Sequence, residues 1–128
     1  MIDSKQPRYA VKIGNRWFPD MVGDVDITGS SESYAGIFNY PITALTIDGV
    51  EKFRVATEKS GWLPFKTQYD LDDPAGDGSN IIAVDILGDG IMYMTHIKGG
   101  TWSKALRGED DGYSGSMLPI DAIQIISV

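Results

Sequence analysis

Apolar and polar positions alternate with period two along much of the chain. Tyr9-Ala10-Val11-Lys12-Ile13 alternates in this way, Gly14-Asn15 follows, and Arg16-Trp17-Phe18 resumes the pattern. This is the signature of two antiparallel strands joined by a tight turn. Glu58-Lys59-Ser60-Gly61 and Lys98-Gly99-Gly100 are matching turns further along. Three later runs, Ile42 to Ile47, Ile81 to Ile86 and Ile120 to Ile125, also alternate. Their period places Leu45 with Ile47, Val84 with Ile86, and Ile123 with Ile125 on one inward face. No stretch combines helical periodicity with capping residues. The pattern predicts an all-β fold.

The strands recur in order. The Ile-x-Ala runs put alanines at 44, 83 and 122, a spacing of 39 both times. Each run is preceded by a glycine (Gly36, Gly76, Gly115), and four residues before each glycine stands an acid (Glu32, Asp72, Asp111). Further back lies one of the three tryptophans (Trp17, Trp62, Trp102), and before it an aromatic (Tyr9, Phe53, Tyr93). Such recurrence marks a repeat architecture. The units run 8–49, 50–90 and 91–128 within a single domain spanning 1–128, and the first carries a longer insertion around Thr28 to Glu32. One unit of about forty residues cannot bury its apolar face alone, whereas three closing on a shared axis can. A pseudo-threefold β-prism or β-trefoil fits this count equally. The recurring glycines are expected to take positive φ or to allow close backbone approach.

Composition narrows the function classes. The chain has 128 residues, 42% hydrophobic and 23% charged, with 15 glycines and a net charge of −7. That is ordinary globular composition, and the acidic balance disfavours nucleic acid and anionic membranes as partners. No cysteine is present, which removes disulfides and thiol chemistry. No apolar run reaches the roughly twenty residues that span a bilayer. Met1 to Lys5 has no apolar segment behind it, so no signal peptide is read. The chain is expected to be cytosolic, released by lysis, or a domain of a longer secreted protein.

The run from a Tyr-rich strand through a Gly-Trp turn, an acidic loop, Tyr34-Ala35-Gly36 or Tyr113-Ser114-Gly115, and an Ile-x-Ala strand resembles a known class of repeat. Such repeats are appended to wall-lytic enzymes of clostridia, other gut Firmicutes and their phages, including muramidase-type lysozymes and muramoyl-alanine amidases. The pattern is also similar to the clostridial hydrophobic repeats with a conserved tryptophan. The resemblance covers about residues 8–127. It departs at Pro74, where the pattern has tyrosine, and at Ser103-Lys104, where the first two units have Phe18-Pro19 and Leu63-Pro64. It implies a targeting module for Gram-positive cell-wall glycan, fused to a lytic catalytic domain and acting at the cell wall, outside the cell or after phage lysis.

The candidate ligand-binding residues are Trp17, Glu32, Tyr34, Trp62, Asp72, Asp73, Trp102, Asp110, Asp111 and Tyr113. An indole face can stack on the C–H face of a sugar ring; equally, one tryptophan per unit suits a core anchor. A carboxylate beside a tyrosine suits sugar hydroxyls; equally, Asp and Gly make good solvated turns. Asp70, Asp72, Asp73 and Asp77 raise a calcium-dependent, lectin-like alternative, and a protein-binding or adhesin-like scaffold is a further one. The middle unit, with Pro74 for tyrosine, is expected to bind least like the others. The single histidine, His96, aligns with Lys12 and Ala56, so the repeated pattern does not require it, and triad or zinc chemistry has little material. Paired carboxylates are the remaining enzymatic option. The expectation is a non-enzymatic module without cofactors.

Overall fold

The structure, a computed structural model, describes residues 7–18, 21–22, 34–109 and 112–127. In chain order its strands are β1 (Arg8–Ile13), β2 (Arg16–Trp17), β3 (Met21–Val22), β4 (Ala35–Gly36), β5 (Ala44–Asp48) and β6 (Lys52–Thr57), then β7 (Gly61–Trp62), β8 (Ile81–Leu87), β9 (Ile91–Ile97), β10 (Leu106–Arg107) and β11 (Ile120–Ser127). No helix occurs among the described residues.

The strands form three small antiparallel sheets. In the first, β1 pairs with β5 on one edge and with β2 and β3 on the other. In the second, β6 lies between β7 and β8; in the third, β9 lies between β10 and β11. The registers correspond. Tyr9 stands opposite Ile47, Phe53 opposite Ile86, and Tyr93 opposite Ile125. Lys12 pairs with Ala44, Ala56 with Ala83, and His96 with Ala122. On their other side the same three residues pair with Trp17, Trp62 and Trp102. The turns at Gly14-Asn15 and before Gly61 fall where the alternation breaks, with φ of 61° at Gly14 and 69° at Gly61.

The short segment before the last strand of each sheet does not stay with that sheet. Ala35 and Gly36 pair with Ile123 and Ala122 of β11 in the third sheet. Ala75 exchanges two backbone hydrogen bonds of 2.9 Å with Leu45 of the first sheet. Ser114 does the same with Val84 of the second, at 2.9 and 2.8 Å. The docking is therefore cyclic. Close approach makes glycine necessary at each contact: a Cβ on Gly36, Gly76 or Gly115 would lie 2.9, 3.0 or 2.9 Å from the Cα of Ala122, Ala44 or Ala83. The φ values there are 118°, 143° and 130°, which disfavour any side chain.

The core lies between the sheets. Ile42, Leu45, Ile81, Val84, Ile120 and Ile123 line one interstice with no room for water. Backbone bonds link the same level: Ile42 N–H donates to Ile120 O at 2.8 Å, and Ile81 N–H donates to Ile42 O at 2.9 Å. Tyr9, Phe53 and Tyr93 fill a second level and are fully buried. The two phenols accept from the neighbouring sheet, Tyr9 from Ile125 N–H at 3.2 Å and Tyr93 from Ile86 N–H at 3.3 Å. Burial pushes the Tyr9 phenol up to about 12, partly offset by its hydrogen bond with the Ile125 backbone.

Candidate functional site

Cyclic docking brings two of the tryptophans against the loop of a different segment. Trp102, on the third sheet, meets Tyr34 edge-on at 5.5 Å between centroids. Trp62, on the second sheet, meets Tyr113 edge-on at 5.3 Å. The corresponding loop residue facing the first sheet is Pro74, which with Lys12, Gly14, Asn15, Thr43, Gly76 and others lines a hollow of about 270 Å³. Three inter-sheet grooves result. Two of them pair a tryptophan with the tyrosine of another segment.

All three tryptophans are half-buried. They close the edges of their hairpins while keeping part of the ring accessible, a compromise between core anchor and open platform. Their neighbours differ. Lys12 Nζ sits 5.8 Å from the Trp17 ring centre, within reach of a cation–π attraction. The Arg54 guanidinium lies between Trp62 (4.6 Å) and Phe65 (4.5 Å), and its Nε–H donates to Asp85 Oδ2 at 3.1 Å. Trp102 borders a stack of rings: Phe38 lies 5.1 Å from Tyr34 and 4.0 Å from His96, nearly parallel to both.

Among the described residues His96 and Asp121 form the most enclosed pair of ionisable side chains. His96 Nδ1 is 2.7 Å from Asp121 Oδ1, and the Asp121 side chain is fully buried. The other carboxylate oxygen accepts Asn39 N–H at 2.6 Å. The pair thus holds the 36–40 turn against the third sheet. A carboxylate orienting an imidazole is also a hydrolase element. Here, among the described residues, the imidazole bonds to no hydroxyl, and Phe38 covers one of its faces. Nearby, Thr95, Ser114 and Ser103 link their hydroxyls in a chain, each step 2.8 Å.

Of the acidic candidates, Asp72 and Asp73 lie within the described residues. Asp72 and Asp73 are exposed; the Asp72 amide donates to Asp70 Oδ1 at 2.9 Å, and Asp73 pairs with Lys66 at 2.7 Å. Asp73 also lines a second hollow of about 260 Å³ with Phe65, Lys66, Thr67, Gln68 and Asp70. Asp77 accepts from Thr57, Ser60 and Ser79, and these hydroxyls, Ser60 foremost, hold its carboxyl well below the usual carboxylate range. Among the described residues no cluster of acids or histidine is gathered as a metal site requires. Glu32, Asp110 and Asp111 lie outside the described residues.

Residue patterns missed Phe38, Lys12, Arg54 and the His96–Asp121 pair. Lys12 and His96 share a strand position, so the odd chemistry at that position was a usable signal; the Asp121 partnership needed the register. Comparison with family models, curated protein sequences and solved structures yields no match for this chain.

Proposed function

We propose that the chain is a non-catalytic carbohydrate-binding module that holds an attached lytic enzyme on Gram-positive peptidoglycan or wall polysaccharide. The observation carrying this reading is the meeting of a half-buried tryptophan with a tyrosine from another segment at two of the three grooves. Aromatic faces with wet edges suit sugar rings, which are apolar on their C–H faces and polar at their rims. Several weak grooves on one rigid body gain avidity on a repeating polymer. The net charge of −7 opposes long-range attraction to anionic walls, so short-range contacts must carry the binding.

The same reading takes the chain as three pseudo-symmetric segments, arranged as a β-prism. Support comes from the cyclic Gly–Ala docking and the shared registers. The prism is favoured over the trefoil because the last strand of each sheet receives its outer partner from another segment. Its non-catalytic character is supported by His96 and Asp121 serving to brace the 36–40 turn.

The test is sedimentation with purified Gram-positive walls. The chain should pellet with walls and be released by soluble wall fragments. If it stays in the supernatant over walls of several Firmicutes, the reading fails; if it clears a wall suspension unaided, the non-catalytic part fails. The exposed tips carrying Ile37, Tyr40, Met117 and Leu118 favour a second reading, a protein-binding scaffold. Binding lost from walls stripped of protein would select it.

A further inference from the structure

The three grooves share a backbone frame and differ in what fills it. In the third, His96 and Asp121 face Tyr34 and Phe38; Phe38 stacks on the imidazole, and Asn39 bonds the carboxylate. In the first, the equivalent positions are Lys12, Thr43, Pro74 and Gly78, counted from the same register and from the docking glycine. Gly78 has no side chain to place where Phe38 goes, and a hollow of about 270 Å³ remains. That volume sits at the low end for small-molecule pockets, suited to one ring.

Among the described residues no carboxylate answers the charge of Lys12 at this hollow. In the third groove, Asp121 meets His96. In the first, the Thr43 hydroxyl donates instead to backbone carbonyls of Lys12 and Gly14, at 3.2 and 3.1 Å. Among the described residues no carboxylate pairs with Lys12. Lys12, with no carboxylate partner among the described residues, therefore borders a ring-sized hollow on an otherwise acidic protein, with Trp17 as its cross-strand neighbour.

We propose that this first groove binds an acidic sugar, its ring seated between the Lys12–Thr43 edge and Pro74-Gly78, and its carboxylate or phosphate paired with Lys12. The proposal rests on the carbohydrate-binding reading. It also reverses the expectation that the segment with Pro74 binds least: a proline and a glycine leave open what Tyr34 and Phe38 fill elsewhere.

The experiment is an amide chemical-shift titration with three probes: N-acetylmuramic acid, N-acetylglucosamine 1-phosphate and neutral N-acetylglucosamine. At least one acidic sugar should bind fivefold or more tighter than the neutral one, weakening with salt. Which acidic probe binds distinguishes carboxylate from phosphate. The shifted amides should include Gly14, Gly76 and Gly78. Lys12→Gln should abolish the preference and Lys12→Arg should keep it, with spectra otherwise unchanged as the check on folding. Shifts centred on Phe38 and Trp102, a preference retained in Lys12→Gln, or no preference in the unmodified chain each overturn the proposal. If the unmodified chain shows no preference yet pellets with walls, only this pocket assignment falls; if it binds neither walls nor sugars, the carbohydrate reading falls too.

Discussion

Tyr9 places one hydroxyl where two sheets meet. Its oxygen accepts an N–H of β11 that points away from the strand's own pairing partner β9, and Tyr93 repeats the arrangement on β8. Tyr9→Phe leaves the Ile125 amide buried without that acceptor, and should cost about 1–2 kcal/mol in urea unfolding. The phenol also sets an alkaline limit. With the folded value raised to about 12, the unfolded chain loses its proton first, near the ordinary tyrosine value of about 10. Stability from this group is therefore complete below pH ~10 and declines as pH rises toward 12, by about 2–3 kcal/mol in all. Denaturation midpoints measured across that range should fall less steeply in Tyr9→Phe. Position 53, where phenylalanine replaces tyrosine, shows that the ring's volume is kept in every sheet while the hydroxyl is not.

At the scale of the element, the glycine and the alanine of the repeated pattern are two sides of one contact. Gly76 approaches Ala44, Gly115 approaches Ala83, and Gly36 approaches Ala122. Gly76→Ala adds a methyl against the Thr43 carbonyl and Ala44 while holding a φ of 143°. It should destabilise by about 2–4 kcal/mol, measured by chemical denaturation. Gly14→Ala, also at positive φ but facing open space, should cost distinctly less. These elements show what a sequence can disclose. Strand periodicity, the hairpin turn at Gly14-Asn15 and the glycine positions were legible because local geometry dictates them. Which segment each glycine docks on was not, because that is a long-range pairing with no local correlate. The candidate tyrosines and tryptophans are likewise legible, but not which tryptophan each tyrosine faces. Phe38 and Asp121 escaped notice because their meaning lies in a contact between β9, β11 and the 36–40 turn.

The whole molecule is bound by these exchanges as well as by its sheets. Each sheet has a last strand whose outer edge is covered by another segment, and the six-residue apolar interstice takes two side chains from each. Stability should therefore be cooperative across the chain. A truncation ending at residue 90 should fail to fold as a two-sheet remnant, giving no dispersed amide spectrum. A dispersed, monomeric remnant would refute the interdependence.

That circular docking is head-to-tail: every segment offers a loop in one direction and an edge in the other, and the series terminates only because the third returns to the first. Any event that opens one junction therefore creates two complementary ends at once. Such a molecule is poised to complete itself with a loop from a second copy, so its route to oligomers under stress is segment exchange through the Gly–Ala contacts.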